Sequence, residues 1–119
     1  MAANPGTSIV TKTIFAVNDM GAAIAFYKTL GFQVESFDAG YAWVRHRGAE
    51  LLHLAFADDL ETGANRAAVY FHVQDAASWH QSWVAAGVSV SAIGDYPWQM
   101  REFSVRDPSG NLIRIGQNL

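Results

Sequence analysis

Pro97-Trp98-Gln99-Met100-Arg101-Glu102-Phe103-Ser104-Val105-Arg106-Asp107-Pro108-Ser109-Gly110-Asn111-Leu112-Ile113-Arg114-Ile115-Gly116-Gln117 reads as two strands around a tight turn. In Asp107-Pro108-Ser109-Gly110 the proline presets a negative φ at the second turn position, and the glycine accepts the positive φ that closes the return. The stretch is therefore a hairpin. Phe103 and Val105 alternate with Glu102, Ser104 and Arg106 before the turn, and Ile113 and Ile115 alternate with Leu112, Arg114 and Gly116 after it. Each strand has one apolar face and one face rich in charge. Tyr96-Pro97-Trp98 brings large aromatics into the hairpin beside the polar face.

Working back from the hairpin, Ala67–Val73 reads as a strand, Asp75 as the cap of a helix through Ala86, Gly87 as its stop, and Val88–Ile93 as a weak strand. This half is βαβββ. The first half has the same order: a strand over Ile9–Val17, a helix capped by Asn18 or Asp19 and ended by Gly31, then strands over Phe32–Phe37, Tyr41–Arg47 and Glu50–Ala57. The repeat is one of architecture and not of letters. It gives an α+β fold in a single domain over 1–119, with one module over about 9–57, a linker over about 58–66 and a second module over about 67–117. The two modules are expected to form a curled mixed sheet around a cup-shaped cavity, with the helices on the outer face. Strand parity puts Phe15, Val17, Leu52, Leu54, Val69, Phe71, Val73, Phe103, Val105, Ile113 and Ile115 towards the helices. It leaves Lys12, Tyr41, Trp43, Arg45, His53, Tyr70, His72, Glu102, Ser104, Arg106 and Arg114 for the cup, a mixture of aromatics and charge typical of ligand sites.

At 119 residues the chain is long enough to bury a core without staples. Half of it is hydrophobic, which excludes disorder, and a net charge of −3 carries no nucleic-acid footprint. With no cysteine there is no disulfide, thiol nucleophile or thiolate metal site. No apolar run approaches membrane-spanning length, and Met1-Ala2-Ala3-Asn4-Pro5-Gly6 is not a secretion signal, so the expected compartment is the cytoplasm.

The chain resembles the vicinal oxygen chelate superfamily, which includes glyoxalase I, extradiol dioxygenases and the bleomycin resistance proteins. The likeness rests on Val17-Asn18-Asp19-Met20 running into Ala25-Phe26-Tyr27-Lys28-Thr29-Leu30-Gly31-Phe32, and on Arg101-Glu102-Phe103-Ser104-Val105-Arg106-Asp107-Pro108-Ser109-Gly110-Asn111. Gly94-Asp95-Tyr96-Pro97-Trp98 and Phe37-Asp38-Ala39-Gly40-Tyr41 look specifically like the bleomycin resistance branch, although Gln99-Met100 lengthens the step from Trp98 to Arg101. The superfamily's enzymes hold a divalent metal with His, Glu or Gln from the first, fourth, fifth and eighth strands. Those positions fall here on Lys12, His53, Ala68 and Arg114. Only His53 can bind a metal, because two cations and a methyl group do not coordinate a dication. The resemblance thus implies no metal and no cofactor.

What it implies instead is drug binding and antibiotic resistance: a homodimer that takes a planar or cationic guest into a groove between subunits, with the first strand exchanged in that branch. The expected ligand-binding residues are Phe37, Asp38, Tyr41, Trp43, His53, Tyr70, Tyr96, Trp98 and Arg101, with Asp38 and Asp95 offering charge to a cation. Lys12, Glu102 and Arg114 are expected to form an ion cluster where the enzymes keep their metal. His53 and His72 share the cup face and are read as satisfied by neighbouring hydroxyls or carboxylates, and His46 and His80 as surface residues. No catalytic residue is assigned. The rival is a lyase, isomerase or dioxygenase-like enzyme using His53 with His72 or Glu102. A third reading, an interaction module without a ligand, would be opposed by a pocket lined by Trp43, Tyr70 and Trp98.

Overall fold

The structure is a computed structural model that describes Gly6 and residues 8–119. Asn4-Pro5-Gly6 cannot start regular structure, and the loose arm that it leads one to expect over residues 1–8 lies mostly outside the described residues. Eight strands and two α-helices follow in the order β1 (Thr13–Val17), α1 (Met20–Thr29), β2 (Gln33–Asp38), β3 (Tyr41–His46), β4 (Ala49–Phe56), β5 (Ala68–His72), α2 (Ala76–Ala85), β6 (Gly94–Tyr96), β7 (Met100–Arg106) and β8 (Leu112–Asn118). Each half makes one four-stranded sheet, ordered β1-β4-β3-β2 and β5-β8-β7-β6. In each sheet one parallel pair, β1 with β4 and β5 with β8, joins an antiparallel meander, so both sheets are mixed. This is the α+β arrangement of two βαβββ modules read from the sequence.

Both helices start on aspartate caps. Asp19 Oδ1 accepts from Ala22 N at 3.0 Å, and Asp75 Oδ1 from Ser78 N at 3.1 Å, which satisfies amides that have no partner within the helix. Met20, Ala23 and Tyr27 on α1, and Ala76 and Trp83 on α2, are the buried helix positions. They meet Phe15, Val17, Leu52, Leu54, Phe103, Val105, Ile113 and Ile115 in one core that runs through both modules. Trp83 crosses between the modules, donating its indole N–H to the Leu30 carbonyl at 3.0 Å while Phe32 packs against Phe71, Trp79 and Trp83. Among the described residues the other face of each sheet carries no helix.

Three local readings change. The first strand begins at Thr13 and not at Ile9; Ile9 and Val10 stand 87% and 77% exposed outside any sheet. The sixth strand is Gly94–Tyr96 and not Val88–Ile93. The Val88–Ile93 segment meets β7 through Ser91, whose amide donates to Ser104 O at 2.9 Å and whose hydroxyl accepts from Ser104 N at 2.8 Å. His46 is half-buried and not on the surface, because it shares parity with Ala42 and Val44; its ring lies 5.3 Å from Trp79 and 5.7 Å from Phe32.

Candidate ligand site on the open faces of the sheets

On the first sheet, pairing sets side chains in rows. Ile14, His53, Trp43 and Glu35 lie across from one another, and Ala16, Ala55, Tyr41 and Asp38 form the next row. The rings gather around Trp43. Phe37 is 5.9 Å from it, Tyr41 6.3 Å and His53 6.3 Å, all near edge-to-face, and the Arg45 guanidinium stands 5.5 Å from its centroid. A bulge decides the polar chemistry of this face. Val44 pairs with Leu52 but Arg45 with Glu50, so Leu51 is one residue too many and Glu50 swings to the side of His53. Its Oε1 lies 2.6 Å from His53 Nε2, and the Tyr41 hydroxyl lies 2.7 Å from His53 Nδ1. The hydrogen bond to His53 holds the Glu50 carboxyl below its ordinary range despite some desolvation, with the charges of Lys12 and Arg45 adding to the effect. A depressed carboxylate contributes stability above its unfolded value of 4.5 and loses it as the pH falls through the folded value.

On the second sheet, Tyr70, Arg114 and Ser104 form one row and His72, Gly116, Glu102 and Gly94 the next. Gly116 leaves the space into which the Tyr70 ring leans, and a Cβ there would overlap the ring's hydroxyl end. Tyr70 donates to Glu102 Oε2 at 2.5 Å. Burial first, then that hydrogen bond and the Glu102 charge, push the Tyr70 phenol up to about 12 from 10.0. A raised phenol contributes stability that is intact below the unfolded value and disappears between about 10 and 12 as the pH rises. Gly116→Ala is expected to expel the ring, costing about 1–3 kcal/mol and returning the Tyr70 phenol towards 10.0. Phenolate absorbance against pH reads both effects.

The β6–β7 hairpin turns at Pro97-Trp98-Gln99, where Gln99 takes φ 65° and its amide donates to Tyr96 O at 3.0 Å. Tyr96 and Trp98 stack with centroids 4.8 Å apart and planes 11° from parallel. Beneath them is a hollow of about 190 Å³ lined by Ser91, Tyr96, Trp98, Glu102, Ser104 and Arg114. A second cavity, of about 340 Å³, lies between the modules, lined by Phe32, Leu51, Phe71, Trp79 and Trp83 together with Glu50, Tyr70 and His72. Tyr70 lines this cavity, Trp98 the other and Trp43 neither.

Among the anticipated site residues, Phe37, Asp38, Tyr41, Trp43 and His53 share the first sheet's open face, whereas Tyr70, Tyr96, Trp98, Glu102 and Arg114 belong to the second sheet. Asp38 caps its own turn through Gly40 N at 2.8 Å. Arg101 points to the helix side with Phe103 and Val105, and forks onto Asp95 at 2.7 and 3.1 Å. Lys12, Glu102 and Arg114 form no ion pair with one another among the described residues. Lys12 Nζ donates to the Glu50 carbonyl at 3.2 Å, while Glu102 accepts from the Tyr70 hydroxyl. His53 pairs with Tyr41 and Glu50 and not with His72 or Glu102. Nothing in the alternation of β4 marks Glu50 as its partner.

Lys12, His53, Ala68 and Arg114, the four positions that the resemblance assigns to a metal, do not make a donor set for a dication. Two are cations and one is alanine, and the fourth, His53, has both ring nitrogens engaged. No three His, Cys, Asp or Glu side chains converge among the described residues.

Residues 9–115 match the family model of the Glyoxalase/Bleomycin resistance protein/Dioxygenase superfamily. No curated protein matches the chain. Among solved structures, a bleomycin resistance determinant encoded on the transposon Tn5 superposes with a TM-score of 0.85 at 21% identity, over 93% of this chain and 98% of that one. The bleomycin-binding protein of Streptomyces verticillus, solved with copper(II)-bleomycin, gives 0.78 at 26% identity over 92% and 95%. A lactoylglutathione lyase from Agrobacterium tumefaciens gives 0.73 at 20% identity over 94% and 95%, so binders and enzymes share this backbone. With the model match spanning nearly the whole chain, the protein belongs to the glyoxalase, bleomycin resistance protein and dioxygenase superfamily.

Proposed function

We propose that the protein is a metal-independent small-molecule binder of the bleomycin resistance kind, which sequesters a planar or cationic drug or metabolite without covalent chemistry. The observation that carries this reading is the set of large apolar side chains left uncovered on the open faces. Phe37 is 70% exposed, Trp98 60%, Ile14 59% and Tyr70 42%. Exposed aromatics concentrated on concave, partly charged surfaces mark binding sites and not folding cores. The Tyr96–Trp98 stack offers a flat platform, and a guest ring laid on it gains about 0.5–1.5 kcal/mol beyond area burial.

The groove is completed by a second copy of the chain. Each chain supplies one aromatic face from each sheet, and the two faces that belong together come from different subunits. The exposed β-branched Ile9 and Val10 suit an arm exchanged with the partner. The dimer acts in the cytoplasm on a small molecule, and neither nucleic acid nor a membrane takes part. None of the helices among the described residues is long and apolar enough to cross a membrane.

Quenching of tryptophan fluorescence by metal-free bleomycin tests this reading. Saturable quenching is expected, with affinity about 10- to 100-fold weaker in Trp98→Ala. An affinity untouched by that substitution, or no quenching with bleomycin and with a panel of planar cations, removes the reading. A second reading, a lyase or isomerase, draws on the short contacts His53 makes with Tyr41 and Glu50, an arrangement that also suits proton transfer.

A further inference from the structure

Two hydrogen bonds fix which nitrogen of a neutral His53 ring carries the proton. The Glu50 carboxylate can only accept, so His53 Nε2, 2.6 Å from Oε1, carries a proton. In the neutral imidazole Nδ1 is then a lone-pair acceptor. Tyr41 lies 2.7 Å from Nδ1 and must donate to it. The one hydroxyl proton is thereby committed to the ring, and the phenolic oxygen has only lone pairs to offer anything else on the open face. Other groups reinforce this choice. Arg45 Nη2 stands 3.7 Å from Glu50 Oε2 and Lys12 holds the Glu50 carbonyl, so Glu50 stays a carboxylate, while Glu35 shares Arg45 at 3.3 Å. The Tyr41 ring stands edge-to-face with Trp43, and Trp43 in turn with Phe37. Arg45 already lies over Trp43, so a second cation stacked on that indole would be repelled.

We propose that Tyr41, oriented through His53 by Glu50, is a specificity-determining hydrogen-bond acceptor, and that the first sheet's aromatic face takes a planar ring bearing a neutral N–H donor. The inference rests on the ligand-binding reading above and narrows it. An amide, aminoheterocycle or azole N–H satisfies the phenolic oxygen and lays its ring against Trp43. A ring whose nitrogen is alkylated, or whose only polar atom is an acceptor, leaves that oxygen dry and unpaired.

The probes are indole and 1-methylindole, which share a ring and differ in the N–H. Chemical-shift titrations of the Trp43 resonances give both affinities in the intact protein and in Tyr41→Phe. Because the extra methyl favours 1-methylindole by area, the informative quantity is the ratio of the two affinities. That ratio is expected to fall about three- to tenfold, in favour of 1-methylindole, when Tyr41 loses its hydroxyl. The imidazole nitrogen spectrum of the intact protein is expected to show His53 as the Nε2–H tautomer. A ratio unchanged by Tyr41→Phe, an Nδ1–H tautomer or a doubly protonated ring overturns the inference. If metal-free bleomycin binds but neither indole does, the first sheet is not the guest surface and only the narrower claim falls. If the indole ratio behaves as expected and bleomycin does not bind, the acceptor role stands and the bleomycin-like reading falls.

Discussion

Asp107→Ala is expected to lower the free energy of unfolding by about 3–5 kcal/mol. The carboxylate is 4% exposed and is the hub of the turn between β7 and β8. Oδ1 accepts from the amides of Ser109 at 2.9 Å and Asn111 at 3.0 Å. Oδ2 accepts from the Asn111 side chain at 2.9 Å and from the Tyr27 hydroxyl of α1 at 2.8 Å. Removing it takes an acceptor from four N–H and O–H groups, of which, among the described residues, only the Asn111 side chain has another, and Tyr27 is itself wholly buried. Burial, followed by the charge and hydrogen bond of Asp107, pushes the Tyr27 phenol far above its ordinary range, so the hydroxyl remains a donor throughout the physiological pH range. The knot also holds the two modules together. Ser109 Oγ accepts from Asn18 N at 3.1 Å, Asn111 Nδ2 reaches the Ala16 carbonyl at 2.9 Å, and Asn65 in the linker donates to Ser109 O and Asn111 Oδ1. Urea unfolding checks the expectation: the midpoint should drop with little change in slope, and Asp107→Asn should lie between the two.

Gly110→Ala is expected to cost about 2–4 kcal/mol, combining strain at a left-handed residue with overpacking. Gly110 has φ 87°, and a Cβ built on it would come 2.5 Å from the Thr62 carbonyl oxygen and 3.3 Å from Asn65 Cβ. Thr62 begins a short 3-10 turn, Thr62–Ala64, whose backbone cannot withdraw while Asn18 Nδ2 binds both Leu60 O and Thr62 Oγ1. Gly48 provides the control. It has φ 82° but open space around its Cβ position, so Gly48→Ala should cost only the conformational strain, about 1–2 kcal/mol. Equal losses at the two positions would mean that the contact between hairpin and linker contributes nothing.

The modular plan was legible because alternation and capping agreed in both halves. Asp75 is readable as a cap and Asp19 as one of two candidates beside Asn18, and Phe15, Val17, Leu52, Leu54, Phe103, Val105, Ile113 and Ile115 all point to the core as their parity requires. Alternation failed where the backbone adds a residue. The bulge at Leu51 carries Glu50 across to His53, and no feature of Ala49-Glu50-Leu51-Leu52 announces it. β-propensity misled at Val88–Ile93, whose Val88, Val90 and Ile93 fill space beside the core while the short strand falls on Gly94-Asp95-Tyr96, the residues that the Pro97-Trp98-Gln99 turn brings into register with β7. Asp107, Ser109 and Asn111 read as turn residues and are that, but their ties to Asn18, Asn65 and Tyr27 are long-range and leave no local trace.

Calorimetric titration of metal-free bleomycin into protein dialysed against EDTA, followed by mass spectrometry of the recovered ligand, is the decisive measurement. Saturation at one guest per chain, an unchanged affinity when zinc or nickel is restored, and ligand of unaltered mass are the predicted results. Binding that appears only with the metal, or a recovered compound of different mass, would contradict the proposal of a metal-independent binder.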